Sequence, residues 1–203
     1  MGRRKDHSPE ELRLLILGAT RNIIENKGLD ALTARRLGQK IGYSPGTLYN
    51  LYPNLDALIL AANFDTLGRL QQFCLAQLKD KANGFSQVRA LAYAYLEFAE
   101  NNINCWTALF AYKSKHVGKK KLPIWYRKRL DSVFDLIEQV LQKNLDIPSG
   151  EAKATGRMLW ACLHGITTLA LDSRLKSIGL DNPHEMIDSL LKKCLSSYLS
   201  APP

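Results

Sequence analysis

The sequence predicts an all-α protein, and three observations carry this prediction. Apolar residues recur at helical spacing along most of the 203-residue chain. Helix start and stop signals bracket these segments, beginning with a capping box at Ser8-Pro9-Glu10-Glu11 that has Pro at the first helical position. No segment shows convincing strand alternation. We therefore predict about nine helices, in an N-terminal domain over residues 1–55 and a C-terminal domain over residues 56–203.

The first predicted helix runs from the capping box to Lys27, where Gly28 ends it. Two short helices follow. Thr33 can cap the first of them, and Gly42 supplies its left-handed stop. Ser44 can cap the second, and Pro45 fits its first turn, where a missing N–H costs nothing.

The remaining predicted helices are separated by breaks that contain Pro or Gly. They cover residues 54–79, 86–101, 104–116, 124–144, 151–175 and 183–200. The helix over 151–175 is very apolar, but its longest uncharged run, Met158 to Leu171, is too short to span a bilayer.

The two short helices between Thr33 and Tyr52 have helix-turn-helix spacing, because about three residues that include Gly42 join them. Leu48 faces inward in the second of these helices, and this leaves Thr47 and Tyr49 on its exposed sides. Small and hydroxyl-bearing residues suit the groove of a DNA duplex, so DNA binding is the leading hypothesis. The other interpretation is a plain corner between two helices that never meets DNA.

The net charge of +9 is concentrated in two zones. Residues 1–55 hold nine Lys and Arg against five acids, as attraction to phosphates requires. A second basic zone, Lys113 to Arg129, holds eight cations and no acid. Three interpretations stay open for this zone: a solvated loop, an electropositive pocket entrance that favours an anionic ligand, or a second DNA contact.

The sequence lacks the patterns that several other function classes require. It has no GxSxG motif, no Gly-rich phosphate loop and no HExxH motif, so we predict that the protein is not an enzyme. The four cysteines lie far apart, so we expect no metal site, no disulfide framework and no cofactor. The N-terminus has no apolar signal core, and we expect a cytoplasmic protein.

The run LTARRLGQKIGYSPGTLYNLYPNLDAL resembles the DNA-binding domain of the TetR/AcrR family of bacterial transcription regulators. Trp160 followed by His164-Gly165 resembles the W…HG signature of one class of C-terminal domain in that family. The resemblance implies an all-helical homodimer that binds a palindromic operator, usually as a repressor. It also implies release from DNA when a small molecule enters the C-terminal domain. The alternative is a constitutive DNA-binding or architectural protein without such a ligand.

The resemblance also assigns roles at the DNA. Thr33 and Tyr49 match positions that meet phosphate, Arg35 matches a position that reads bases in some members, and the start of the second short helix matches the surface in the major groove. The implied DNA-binding residues are Thr33, Arg35, Ser44, Pro45, Gly46, Thr47 and Tyr49. Tyr52 matches a core ring. The chain departs from the family pattern at Leu55, where Lys is common, and at Gly38, where Ala is common. We expect Gly38 to loosen its helix by about 1 kcal/mol relative to Ala.

The predicted effector is small and largely apolar or aromatic, with an anionic group as a further option. Its predicted site lies among the helices between residues 86 and 171, with candidate wall residues Phe98, Trp106, Phe110, Tyr112, Trp125, Phe134, Trp160 and His164. The other interpretation of His164 is a hydrogen-bonded core residue beside a glycine that lets another helix approach.

The predicted dimer interface is a four-helix bundle formed by the last two long helices and their copies. The last helix carries a stripe made of Ile187, Leu190, Leu191, Cys194, Leu195 and Leu199, which is wider than one intramolecular face ordinarily needs.

Overall fold

The computed structural model describes residues 7–79, 84–111 and 122–199, and within these ranges the chain is all-α, as predicted. It forms ten helices there and no strand: α1 Pro9–Lys27, α2 Ala34–Ile41, α3 Pro45–Tyr49, α4 Leu55–Leu78, α5 Phe85–Asn101, α6 Ile103–Ala111, α7 Ile124–Leu145, α8 Ser149–Leu171, α9 Pro183–Cys194 and α10 Ser196–Leu199. None of the described helices is long and apolar enough to cross a lipid bilayer.

Two predicted helices end earlier than expected. The last one is divided, because Leu195 leaves the helical conformation at φ −112° and ψ 8° between α9 and α10. The helix predicted over 151–175 ends at Leu171, and a 3₁₀ turn follows at Lys176–Ile178. The predicted helix over 104–116 is present as α6, and its last five residues lie outside the described ranges.

The chain divides into two compact units, each built from two stretches of sequence. Unit 1 comprises Met1–Thr66 and Asn102–Tyr126, and unit 2 comprises Leu67–Asn101 and Arg127–Pro203. The domain boundary after residue 55 stays a prediction.

The core of unit 1 joins α1 to the helix-turn-helix segment and to α6. The apolar stripe of α1, which includes Ile16, packs with Leu37 of α2 and Leu48 of α3. Cys105 and Ala108 of α6 belong to the same buried cluster. Full burial of a Leu or Ile side chain contributes roughly 1.5–3 kcal/mol, so this shared core fixes α2 and α3 relative to α1.

Two side-chain amides also hold α6 in unit 1. The Asn63 Nδ2 of α4 donates to the carbonyl oxygen of Ala108 at 3.1 Å, and Asn63 is only 1% exposed. The Asn104 Nδ2 donates to the carbonyl oxygen of Glu25 at the end of α1, at 2.8 Å. A segment from the middle of the chain therefore completes the unit that holds the helix-turn-helix.

The core of unit 2 is formed where α9 packs against α5 and α8. Ile187, Leu191 and Leu195 are buried within this unit, at 0%, 3% and 0% exposure. The expectation that these three residues face a second copy of the chain is therefore wrong. Helical periodicity identified an apolar face of α9, but other residues of the same chain cover that face.

Candidate DNA-binding surface

The start of α2 separates the roles of two adjacent arginines. Thr33 caps the helix, and its Oγ1 accepts a hydrogen bond from the Arg36 backbone N–H at 3.1 Å. The Arg36 guanidinium donates to the carbonyl oxygen of Ala31 at 2.9 Å, which holds it against the preceding turn. Arg35 is exposed and has no hydrogen bond or ion pair with any residue that the structure describes. Arg35 is therefore the arginine available to a ligand.

The turn between α2 and α3 depends on two glycines. Gly42 is left-handed, with φ 76° and ψ 23°, and the N–H groups of Gly42 and Tyr43 both donate to the carbonyl oxygen of Gly38. This reversal brings the Tyr43 carbonyl oxygen so close that a Cβ on Gly38 would lie 2.6 Å from it. The expectation that Gly38 only loosens α2 relative to Ala is therefore wrong, since the turn has no space for a methyl group.

The helix α3 presents its first residues to solvent. Ser44 caps it, and the Ser44 Oγ lies 3.4 Å from the Thr47 backbone nitrogen and 3.1 Å from the Thr47 Oγ1. Ser44, Pro45 and Gly46 are exposed and Thr47 is half-buried, while Leu48 is buried and anchors the helix. The two hydroxyls are therefore held together on a small, smooth surface.

Two tyrosines near the end of α3 have different environments. Tyr49 is 47% exposed, and its hydroxyl has no hydrogen-bond partner in the described part of the chain. Tyr52 is half-buried, its hydroxyl donates to the carbonyl oxygen of Arg13 at 3.3 Å, and burial raises its pKa. Tyr49 is thus free to meet a phosphate, whereas Tyr52 fastens the segment to α1.

One contact at this surface has no signal in the sequence. The His7 Nδ1 lies 2.7 Å from the hydroxyl oxygen of Tyr43, although the two residues are 36 positions apart. Nothing in the sequence distinguishes His7 from an ordinary surface residue. The structure places it beside the turn that leads into α3.

The residues predicted to line an effector site come from both units. Phe98, Phe134, Trp160 and His164 belong to unit 2, whereas Trp106, Phe110 and Trp125 belong to unit 1 and Tyr112 lies outside the described residues. In unit 1, Trp106 packs on Phe110 with ring centroids 4.9 Å apart.

Three of the unit 2 members, Phe134, Trp160 and His164, form one connected cluster, and the fourth, Phe98, packs on Phe73 with ring centroids 5.9 Å apart. The Trp160 ring contacts Phe134 edge-on at 5.3 Å and stacks on His164 at 5.5 Å. The His164 Nδ1 lies 3.0 Å from the Tyr95 hydroxyl oxygen, and burial lowers the His164 pKa, which favours the neutral imidazole. This geometry matches the interpretation of His164 as a hydrogen-bonded core residue.

The surroundings of Gly165 differ from those expected of a glycine that lets another helix approach. Apart from the neighbouring backbone of α8 itself, no atom of the described residues lies within 4 Å of the position that a Cβ on Gly165 would occupy. No other described helix of the same chain therefore approaches closely at this glycine.

Unit 2 also contains an open groove of about 340 Å³. Four aliphatic side chains, two ammonium groups and two amide groups line it: Leu75, Leu78, Leu136 and Val140, with Lys79, Lys143, Gln87 and Gln139. None of the aromatic residues predicted for the effector wall lines this groove.

The described part of the second basic zone consists of its last three cations. Arg127 and Lys128 are exposed, and the guanidinium carbon of Arg129 lies 3.6 Å from the Cβ position of Gly68 in the same unit. The other five, Lys113, Lys115, Lys119, Lys120 and Lys121, lie outside the described residues, so all three interpretations of the zone stay open.

Comparison with protein families decides what this helix-turn-helix belongs to. Residues 16–62 match the model for bacterial regulatory proteins of the tetR family, and residues 88–193 match the model for the tetracyclin repressor-like C-terminal domain. The chain belongs to the TetR family. It is therefore a DNA-binding transcriptional regulator and not an enzyme. The predicted family is confirmed, while its W…HG class stays a prediction.

Individual relatives of this TetR-family chain are distant. The HTH-type transcriptional regulator BetI of Rhizobium meliloti (strain 1021) is 24% identical over 123 residues, which span 59% of this chain and 61% of BetI. A protein of unknown function from Rhodococcus sp. RHA1 has the same fold, with a TM-score of 0.73, 20% identity and coverage of 97% and 98% of the two chains. The multidrug binding protein EbrR, solved with imidazole, gives a TM-score of 0.59 at 17% identity, covering 94% and 96%.

Proposed function

We propose that this regulator is a ligand-responsive repressor that binds a palindromic operator as a homodimer and leaves it when a small molecule binds. The observation that carries the proposal is the exposed surface from Ser44 to Tyr49, which begins at the cap of α3 and is anchored by the buried Leu48. Among the described residues, Tyr49 and the exposed Arg35 of α2 have no hydrogen-bond or ion-pair partner. A short helix that is fixed in place and exposes one side to solvent is suited to insertion into the major groove.

The small size of α3 supports a dimer. Its five residues, Pro45–Tyr49, reach only a few base pairs, so one copy has little capacity to select a sequence. Two copies related by a two-fold axis read two half-sites about 34–36 Å apart, or a multiple of that distance. The N-terminus of α2 after its cap Thr33 offers further N–H groups to a DNA phosphate.

The first test removes single hydroxyl groups from the DNA-binding surface. Thr47→Ala and Tyr49→Phe are each expected to weaken operator binding by the dimer about 30-fold, because each deletes about 1 kcal/mol of hydrogen bonding at each of the two half-sites. The operator is first selected from a pool of random duplexes with the full chain, and affinities are then measured by fluorescence anisotropy.

Tyr52→Phe is the matched control, because its hydroxyl bonds to the Arg13 carbonyl within the chain. It is expected to lower the melting temperature slightly and to leave operator affinity unchanged. If Thr47→Ala and Tyr49→Phe both bind the operator like the unmodified chain, the DNA-binding surface lies elsewhere.

The exposed face of α8 is the proposed site of the dimer contact. Small or apolar residues recur along it at helical spacing and are exposed: Ala154, Met158, Ala161, Cys162 and Gly165. Met158 alone is 51% exposed. A second copy of α8 is the partner that two-fold symmetry provides for such a face, and Gly165 gives that copy room to approach.

We infer that the effector is a small amphipathic molecule. The unit 2 groove supports an anion with an apolar body, because Lys79 and Lys143 line it together with Leu and Val side chains. The small-molecule complex of EbrR, a protein of similar fold, supports a ligand in this family.

Thermal-shift measurements test this inference with apolar carboxylic acids and their neutral amides. The acids are expected to raise the melting temperature, because a ligand at 100 times its Kd adds about 2.7 kcal/mol to the free energy of unfolding. The amides are expected to raise the melting temperature less. Lys79→Gln with Lys143→Gln is expected to abolish the difference. Lys192→Gln with Lys193→Gln removes the same charge from exposed positions of α9 and is expected to preserve it. Equal responses of the two double variants would place the anion outside the groove.

A constitutive DNA-binding protein is the second candidate. The cluster of Tyr95, Phe134, Trp160 and His164 favours it, because these side chains stack on and hydrogen-bond to one another as the residues of a packed core do. A screen in which no compound either raises the melting temperature or releases the operator would favour this alternative.

A further inference from the structure

The outward side of α1 carries apolar residues where an amphipathic helix ordinarily has polar ones. The buried stripe of α1 includes Leu12, Ile16 and Ile23, and it packs in the core of unit 1 with residues of α2 and α3. Since successive residues are about 100° apart around a helix, Leu14 lies on the side opposite this stripe. Leu14 is 70% exposed, and Leu15 beside it is 36% exposed. The helix α1 therefore presents an apolar protrusion on the side that faces away from α2 and α3.

A glycine lies on the same side of α1, four residues after Leu14. Gly18 is inside a helix of 19 residues, where glycine lowers stability relative to Ala. Apart from the neighbouring backbone of α1, no described atom lies within 4 Å of the position that a Cβ on Gly18 would occupy. Residues four apart on a helix are neighbours, so the protrusion at Leu14 adjoins a hollow at Gly18. Packing among the described residues explains neither of them.

The charges on this side of α1 are ordered so that a second copy of the helix fits in the antiparallel direction. The acid Glu10 precedes Leu14 by about one turn, and the base Arg21 follows Gly18 by about one turn. An antiparallel copy centred midway between Leu14 and Gly18 sets Leu14 over Gly18 of the second copy and Glu10 beside Arg21 of the second copy. Two-fold symmetry makes each of these contacts twice. A parallel copy would instead bring the two Glu10 carboxylates together.

Arg21 is able to make this contact although it already has a partner in its own chain. The Arg21 Nη1 lies 2.9 Å from the Asp65 Oδ2, and the Arg21 side chain stays 39% exposed. A guanidinium has five N–H donors, so the ion pair with Asp65 leaves donors for a second carboxylate. Glu10 is exposed and supplies that carboxylate from the other copy.

We propose that α1 joins neighbouring dimers on DNA, with Leu14 of one copy packed over Gly18 of another and Glu10 paired with Arg21. This proposal rests on the operator binding of the proposed function and goes beyond it. The matching surface covers about four turns of one helix, much less than the roughly 1,200–2,000 Å² that stable complexes bury, so dimers stay separate in dilute solution.

Adjacent operators supply what this weak contact lacks in solution. Two dimers on one duplex meet at an effective concentration in the millimolar range, at which a weak contact still favours joint binding. The midpoint between two identical palindromic operators is itself a two-fold axis, which is the symmetry that the α1 pair requires. Dimers on neighbouring operators therefore stabilise each other.

The main test compares duplexes that carry one or two copies of the operator selected with the full chain. The distance between the two copies is increased one base pair at a time over two helical turns, because the contact requires one rotation about the duplex axis. At the favourable distance the unmodified chain is expected to fill both operators with about 10-fold cooperativity, measured by electrophoretic mobility shift. Leu14→Gln and Gly18→Gln are each expected to remove the cooperativity and to keep the affinity for a single operator.

Ile178→Gln is the matched control, because it removes an apolar side chain that is 59% exposed in a turn of unit 2. It is expected to keep the cooperativity. The proposal would be overturned by independent binding of the unmodified chain at every distance, or by an equal loss of cooperativity in the control. Weaker binding of Leu14→Gln to a single operator would place this side of α1 inside one dimer and would likewise overturn it.

A charge exchange tests the antiparallel direction. Glu10→Arg and Arg21→Glu each set like charges against one another across the contact, so each is expected to abolish cooperativity. The double variant restores opposite charges and is expected to recover it, although the ion pair with Asp65 stays broken. A double variant without cooperativity would overturn the pairing. An unmodified chain that selects no duplex would instead refute the proposed function itself, so the two failures are distinguishable.

Discussion

Replacing Met158 and Ala161 by Glu is expected to convert the dimer into a folded monomer with about 100-fold weaker operator binding. Both side chains lie on the exposed face of α8, where a carboxylate remains hydrated in the single chain. In a pair of α8 helices the four added carboxylates repel one another and lose their water. Operator affinity falls when the dimer dissociates, because a monomer on one half-site loses the gain from binding both half-sites at once. Light scattering coupled to size exclusion measures the mass, and circular dichroism checks the helix content.

Leu191→Glu is the contrasting variant. Leu191 is 3% exposed in the core of unit 2, so a carboxylate there is buried without a partner. We expect this variant to unfold or aggregate rather than to yield a folded monomer. A Met158→Glu, Ala161→Glu chain that remains dimeric would show that the interface uses another surface.

Gly38→Ala is expected to lower the free energy of unfolding by about 2 kcal/mol, although Ala is the better helix former. The added methyl group meets the Tyr43 carbonyl oxygen at 2.6 Å, and the backbone on both sides of that contact is held by hydrogen bonds to the Gly38 carbonyl. Relief requires the turn to open, which moves the cap of α3. Operator affinity is therefore expected to fall together with stability.

Gly18→Ala is the matched control, because Gly18 also lies inside a helix but, apart from the neighbouring backbone of α1, has no described atom within 4 Å of its Cβ position. It is expected to raise the free energy of unfolding by about 0.5–1 kcal/mol. Urea denaturation followed by circular dichroism measures both variants. If Gly38→Ala is as stabilising as Gly18→Ala, the close approach at Tyr43 is not a constraint on the turn.

Local signals made the helix-turn-helix predictable from the sequence. Ser8, Thr33 and Ser44 cap their helices as expected, and Gly42 ends α2 in the left-handed conformation. Each of these features depends on residues within four positions of one another. The predicted DNA-binding residues fall within one short segment for the same reason, so the structure brings them together on a single unit.

Contacts that depend on the tertiary fold could not be predicted from the sequence. Helical periodicity shows that α9 has an apolar face, but it does not tell whether unit 2 or a second copy covers Leu191. The approach of Tyr43 to Gly38 and the contact of His7 with Tyr43 depend on the path of the backbone, which no residue pattern encodes. The aromatic residues predicted for one effector site are spread over α5 to α8, and the fold assigns them to two units.

The placement of α6 in unit 1 constrains how regulators of this kind can be recombined. A hybrid made by joining residues 1–66 to a foreign effector domain keeps α1 to α3 but discards Cys105 and Ala108, which are buried in the same core. The buried Asn63 amide then loses its carbonyl partner. A working chimera of this chain has to carry residues 102–126 with its DNA-binding segment. Foreign sequence is then joined after residue 66, before residue 102 and after residue 126, which makes three junctions in place of the single junction between two consecutive domains.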